Sequence, residues 1–274
     1  MSADMPHAGE PLPLDKAPSR IAGMFDAIAA RYDLLNTVLS LGLDRRWRRR
    51  AIASLALTGN ERVLDVCAGT ADVSIGAALA RPGSHRVIGV DFSGAMLAQG
   101  RDKIRAAGLS SQVQLVRGDA MHLPVADQSV DALTIAFGIR NVQVTDAACR
   151  EMFRVLKPGG RVAFSDIALK RDLPPEVADS VAAYVGCVAG AIPIADYVRM
   201  LTEAGFEGVQ VIDGKKDLNA YTKVEGGAGC CMPTEDPSGC CAAPSLHGEL
   251  TELLTKYDVN EFAASVQVYA LKPL

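Results

Sequence analysis

Seven cysteines carry the most distinctive chemistry of this 274-residue chain, and four of them come as two adjacent pairs, Cys230-Cys231 and Cys240-Cys241. Both pairs sit in a Gly/Pro-rich stretch near the C-terminus, and a fifth thiol, Cys187, lies in the small-residue run 186–190. Thiolates are soft ligands, so clustered cysteines in a reducing compartment suit a thiophilic metal or substrate better than structural disulfides. The pairs are eight residues apart, and their members are adjacent, unlike the two-to-four-residue spacing of a structural zinc site. Neighbours on a strand point to opposite sides, so one cysteine of each pair would face any given site. Cys67 and Cys149 read as packing residues.

A second set of chemistry-bearing residues is acidic. Asp65 opens the small-residue turn that runs through Gly69 and Thr70 to Asp72; Asp91 and Asp119-Ala120 follow the next two apolar runs. Small residues let the backbone turn sharply and approach a ligand, and a helix starting there offers unpaired N–H groups. A carboxylate in the position of Asp91 can accept two hydrogen bonds from the ribose hydroxyls of an adenosine ligand. The Gly-x-Gly-x-x-Gly pattern of dinucleotide sites is absent from this turn.

Strands alternating with helices must position these acids. The pattern predicts strands at 62–66, 86–91, 113–117, 130–136 and 161–166, separated by helices at 71–81, 93–107 and 145–156 and a turn at 157–160. Such alternation means a doubly wound, mostly parallel Rossmann-like sheet with helices on both faces. Beyond Asp172 the pattern gives helices at 177–188 and 194–204, a strand at 208–213, a cysteine-rich loop at 226–245, a helix at 246–256 and a closing strand at 264–271. The expected division is a disordered tail (1–20), a cofactor-binding domain (21–212) and a cysteine-rich appendage packed on it (213–274).

The constellation resembles the class I S-adenosylmethionine-dependent methyltransferases over residues 21–212. The run Phe25 to Asp33 with Asn36, Ser40, Gly42 and Trp47 looks like the N-terminal signature of the quinone C-methyltransferase group. So do Phe137-Gly138-Ile139-Arg140-Asn141 and Leu156-Lys157-Pro158-Gly159-Gly160. The resemblance implies that Gly69 and Thr70 hold the methionine part of S-adenosyl-L-methionine, Asp91 its ribose, and Asp119-Ala120 its adenine. Ala71 departs from the family turn, which usually has glycine there. The back half, around Cys187, Tyr197 and 257–270, is instead similar to the arsenite methyltransferases, in which the matching cysteine binds trivalent arsenic.

These resemblances imply methylation of arsenite or a methylated arsenical held by Cys187, Cys230 and Cys231, with Cys240 and Cys241 as further ligands. Glutathione or thioredoxin would be the thiol reductant. The arsenic lone pair would attack the sulfonium methyl in line, so positioning rather than a strong base would supply the rate. Two alternatives stand beside this expectation: quinone C-methylation, with Arg140 and Asn141 serving the ring, and a thiol-based arsenic- or metal-binding protein. A net charge of −4 gives no indication of a nucleic-acid partner. The basic run 45–50 around Trp47 is a solvated helix face or an attractor of anionic ligands. No signal peptide or membrane-length apolar run is present, which points to the cytoplasm.

Overall fold

The computed structural model describes residues 21–23, 25, 26, 29, 43–80, 86–178, 190–215, 217, 218 and 256–274, with the backbone alone for 43–47. After α1 (Leu43–Ser54) come β1 (Arg62–Val66), α2 (Asp72–Leu79), β2 (Arg86–Asp91), α3 (Gly94–Ala106), β3 (Val113–Arg117) and β4 (Val130–Ala136). A 3-10 turn (Ile139–Asn141) leads to α4 (Thr145–Val155), β5 (Leu156–Leu169) and α5 (Pro175–Ala178). Then follow β6 (Ile192–Pro193), α6 (Ile194–Glu203), β7 (Glu207–Asp213), α7 (Val259–Phe262) and β8 (Ala263–Leu271).

The strands form one sheet in the order β3-β2-β1-β4-β5-β8-β7, with β6 added to β5. β1 to β5 are parallel, and β8 runs antiparallel to both β5 and β7. Period-two alternation assigns the faces. Leu64, Val66, Leu133 and Ile135 face α4 and α6, sharing a core with Met152, Val155, Tyr197 and Met200. Val63, Val87 and Ala132 face the opposite way, onto Ala77 of α2 and Leu97 and Ile104 of α3. The fold is therefore the expected α/β sheet, mixed at one end.

Three expectations change. The turn expected at 157–160 lies inside β5 as a bulge, since Val130 pairs with Leu156 and Ala132 with Arg161. The C-terminus pins this bulge: Gly159 N–H donates to the Lys272 carbonyl (2.9 Å), and Lys272 N–H to that of Gly160 (2.8 Å). Lys272 Nζ also binds the Phe153 and Leu156 carbonyls, at 2.8 Å each, at the C-terminal end of α4. Second, the closing strand expected at 264–271 begins one residue earlier, at Ala263, and is built into the sheet between β5 and β7. Third, of the helices expected at 177–188 and 246–256, only the ends at Val177-Ala178 and Lys256 fall among the described residues.

Gly205 ends α6 with φ of +104°, and a Cβ there would lie 2.9 Å from the Phe153 ring, itself packed edge-on against Phe206 at 5.2 Å. Gly205→Ala is expected to cost about 1–3 kcal/mol, from backbone strain and displacement of the ring. Denaturant unfolding checks this, and unchanged stability would contradict it.

Candidate cofactor cleft and methyl-transfer site

The sheet order reverses around β1, between β2 and β4, where doubly wound sheets open a crevice at their carboxyl ends. A cleft is found there, lined by Cys67, Asp91, Phe92, Asp119, Ala120, Met121, Gly138, Asn141, Val142 and Gln143, with Ile21 also in its wall. Asp91 is its central polar group. One carboxylate oxygen accepts Gly69 N–H at 2.8 Å, and the other accepts Ser93 N–H at 2.8 Å. Each oxygen keeps acceptor capacity for a ligand hydroxyl. Burial pushes the Asp91 carboxyl above its ordinary value, while the backbone N–H bonds pull it back.

The turn from β1 to α2 is left-handed at three alternate residues: Cys67 (φ +56°), Gly69 (+54°) and Ala71 (+67°). Only the middle one is glycine, so the other two carry strain of order 1 kcal/mol each that the surroundings must hold. Gly138 lets the loop after β4 pack directly against the turn after β1, because a Cβ on it would sit 2.3 Å from that of Cys67. Burial, with Asp91, Asp65, Asp119 and Asp166 nearby, raises the Cys67 thiol well above its ordinary value, so it stays protonated. Cys149 lies in the core against α4's neighbours, its thiol pushed up to about 12 by burial.

The acids expected at successive strand ends do not all face the cleft. Asp119 and Ala120 line it, and Asp119 accepts Met121 N–H at 2.9 Å. Gly69 meets it through Asp91. Asp65 points to the other face of the sheet, as Val63 does, and accepts the Ser74 hydroxyl at 2.6 Å beneath the turn. Thr70 is buried with its hydroxyl 3.2 Å from Lys103 Nζ, and Lys103 and Arg48 both pair with Asp72. This network ties α1, α2 and α3 together behind the turn. Cys187, Cys230, Cys231, Cys240 and Cys241 lie outside the described residues.

Among the described residues no group of three or more His, Cys, Asp or Glu is arranged to hold a metal, and no helix is long and apolar enough to cross a membrane. Sequence reasoning missed Phe92, Met121, Ile21, Val142 and Gln143 as cleft residues, since apolar and amide side chains in loops carry no spacing signal. It also missed the buried network beyond Gly138. Arg140 pairs with Asp166, whose other oxygen accepts the Tyr197 hydroxyl at 3.0 Å. Asp166 lies on β5 and Tyr197 on α6, so this network joins the back of the chain to the 3-10 turn.

Comparison with known proteins decides the family. The model of the ubiE/COQ5 methyltransferase family matches residues 14–188. The chain belongs to that family. Its cofactor is S-adenosylmethionine. A ubiquinone/menaquinone biosynthesis C-methyltransferase of Geotalea daltonii is 45% identical over 152 residues, covering 56% of this chain and 65% of that protein. A demethylmenaquinone methyltransferase of Thermobifida fusca is 48% identical over 155 residues, covering 57% and 64%. The chain thus matches a little under two thirds of the length of these relatives.

Solved structures share the fold. The [4+2]-cyclase SpnF superposes with a TM-score of 0.69 at 20% identity over 96% of this chain and 98% of that one. A geranyl diphosphate C-methyltransferase from Streptomyces coelicolor, in complex with Mg2+, geranyl diphosphate and S-adenosylhomocysteine, gives 0.64 at 16% identity over 82% and 78%. The residues present suit the family's cofactor: a buried acceptor with free lone pairs at Asp91, a second acid at Asp119, and apolar walls at Phe92, Ala120 and Met121.

Asp65 makes a pH prediction. Burial pushes its carboxyl up to about 7; the Ser74 bond pulls it down, the nearby Asp91 charge pushes it up and Arg48 lowers it. A folded value above the unfolded one means the native state takes up a proton as pH falls through 7, so this group costs stability as pH rises through 7. Asp65→Asn keeps an acceptor for Ser74 and removes the titration. Its stability relative to the unmodified protein is expected to rise from pH 5 to pH 8, read from denaturant midpoints. Parallel profiles for the two proteins would refute the assignment.

Proposed function

We propose that this protein is an S-adenosylmethionine-dependent C-methyltransferase whose acceptor is a quinone-type ring. The observation that carries this is the family match over 14–188, together with the named chemistry of the relatives within it. The geometry is consistent with this, because two residues of the signature 137–141, Gly138 and Asn141, line the same cleft as Asp91. Arg140, between them in sequence, is buried and paired with Asp166.

In this reading Asp91 would accept the ribose hydroxyls and the Asp119-Ala120 segment would meet the adenine, with Phe92 and Met121 beside it. Bound, the cofactor would supply an electrophilic methyl group on a sulfonium. Gly69 and the Asp91 carboxylate, already bonded to each other, need no rearrangement to receive it. The ring would enter from the side of 137–141, where Gly138 and Asn141 line the cleft and the buried Arg140–Asp166 pair would hold the loop in place. The chain's main contribution to rate is then orientation and water exclusion by the apolar walls.

Arsenite remains a second reading, favoured by one arrangement in the fold. Val177, Ala191, Leu218 and Val259 pack into one cluster with Ile167, and Phe137 and Tyr257 lie against it. Cys187 lies in sequence between the first two of these residues, and the four paired cysteines between Leu218 and Tyr257. The described residues that flank both stretches in sequence therefore pack beside Phe137, next to the cleft-lining Gly138.

Purified protein with S-adenosylmethionine should methylate a reduced demethylmenaquinone, and Cys187→Ser should leave that turnover within about twofold. Methylated arsenic from arsenite and glutathione, lost in Cys187→Ser, with no quinone product, would overturn the quinone reading in favour of the second. Tight arsenite binding with no methyl transfer to either acceptor would instead favour a binding protein.

A further inference from the structure

The segment before α1 touches the cleft in two ways that the family reading leaves unassigned. Ile21 is buried in the cleft wall. Asp26, exposed to solvent, places one carboxylate oxygen on the Ser93 hydroxyl and, at 3.3 Å, on Ala95 N–H. Ser93 caps α3, its hydroxyl oxygen accepting Met96 N–H at 3.1 Å, and its own N–H binds Asp91.

A serine hydroxyl has one proton to give and two lone pairs. Here the proton goes to Asp26 and one lone pair to Met96, which fixes the Ser93 rotamer and leaves its N–H aimed at Asp91. The intervening Phe92 is a cleft wall, and its carbonyl accepts Arg117 Nε–H at 3.0 Å. Arg117 also acts on Asp26 as a favourable charge; the Ser93 bond is the larger cause holding the Asp26 carboxyl below its ordinary value. Asp91, Phe92 and Ser93 are thus each gripped from outside the cleft: Asp91 by Gly69, Phe92 by Arg117, and Ser93 by Asp26.

We propose that Asp26 is a positioning residue for the methyl donor. It would act through Ser93 to hold Asp91 and Phe92 in the shape that receives the adenosine part, without touching it. This rests on the cofactor reading of the cleft. By linkage, docking of Asp26 and occupancy of the cleft must favour each other to the same extent.

The test is titration calorimetry of the full chain with S-adenosylhomocysteine, which needs no acceptor. Asp26→Ala should weaken binding about tenfold, the size of one lost charge-assisted hydrogen bond. Asp26→Asn, which keeps an acceptor oxygen, should recover part of that loss. Ser93→Ala should also weaken binding, and the double variant Asp26→Ala/Ser93→Ala should be no weaker than the worse single one, because both break one chain of contacts. In turnover assays the Asp26→Ala effect should fall on KM for the donor more than on kcat.

Unchanged affinity in the Asp26 variants would overturn the proposal, and so would strictly additive losses. A thermal midpoint that falls while affinity holds would mean that Asp26 only stabilises the fold, and would overturn it too. If Asp26→Ala fails to fold, Asp26→Asn and Ser93→Ala carry the same comparison. An unmodified protein that does not bind S-adenosylhomocysteine would remove the cofactor reading and this proposal together.

Discussion

The carboxylate of Asp91, holding Gly69 N–H with one oxygen and Ser93 N–H with the other, is the contact on which the cofactor cleft depends. It closes the turn after β1 onto the end of β2. Burying a carboxylate is costly unless its lone pairs are used. Two backbone donors offset part of that cost, and a ligand's hydroxyls can use the lone pairs that remain. Burial is the main cause that raises both Asp65 below the turn and Cys67 within it, and the Asp91 charge adds to both.

The turn itself is strained in an unusual distribution. Left-handed backbone at Cys67 and Ala71 would cost less with glycine. What holds it is packing on both sides. Ala71 is fully buried against α3, where Gly100 approaches it, and Cys67 packs directly against Gly138. Behind the turn, Asp72 takes Arg48 from α1 and Lys103 from α3. Side chains at these two turn positions thus have a compensating use. Cys67 becomes part of the cleft wall, and the absence of a side chain at Gly138 makes room for it.

Most of this sheet was legible in the sequence, because apolar runs of five to seven residues bounded by turn signals have few other readings. The first four strands fall at their expected residues. The bulge at 157–160 was not legible: Lys-Pro-Gly-Gly reads as a turn, and only the pairing of Val130 and Ala132 with residues on either side reveals a continuous strand. Nor was the face of Asp65, although its alternation with Leu64 and Val66 contained the information. It was read as a strand-end acid like Asp91, but it sits one pleat earlier and looks toward α2. The Asp26–Ser93 contact joins residues 67 apart, and neither spacing nor composition signals a bond at that range.

The acceptor is a separate question from the donor, and the architecture shows why. Every residue grouped around Asp91 comes from the N-terminal segment or from the strand ends and loops between β1 and α4. The network on the other wall draws instead on the back of the chain, through Asp166 on β5 and Tyr197 on α6, and it holds Arg140 in the loop after β4. The cluster of Val177, Ala191, Leu218 and Val259 stands on the same side, against Phe137. A fold shared with a [4+2]-cyclase does not by itself fix a reaction. Both acceptor readings therefore meet at one place, the loop 137–141, which touches the donor cleft through Gly138 and Asn141 and the back half through Phe137 and Arg140.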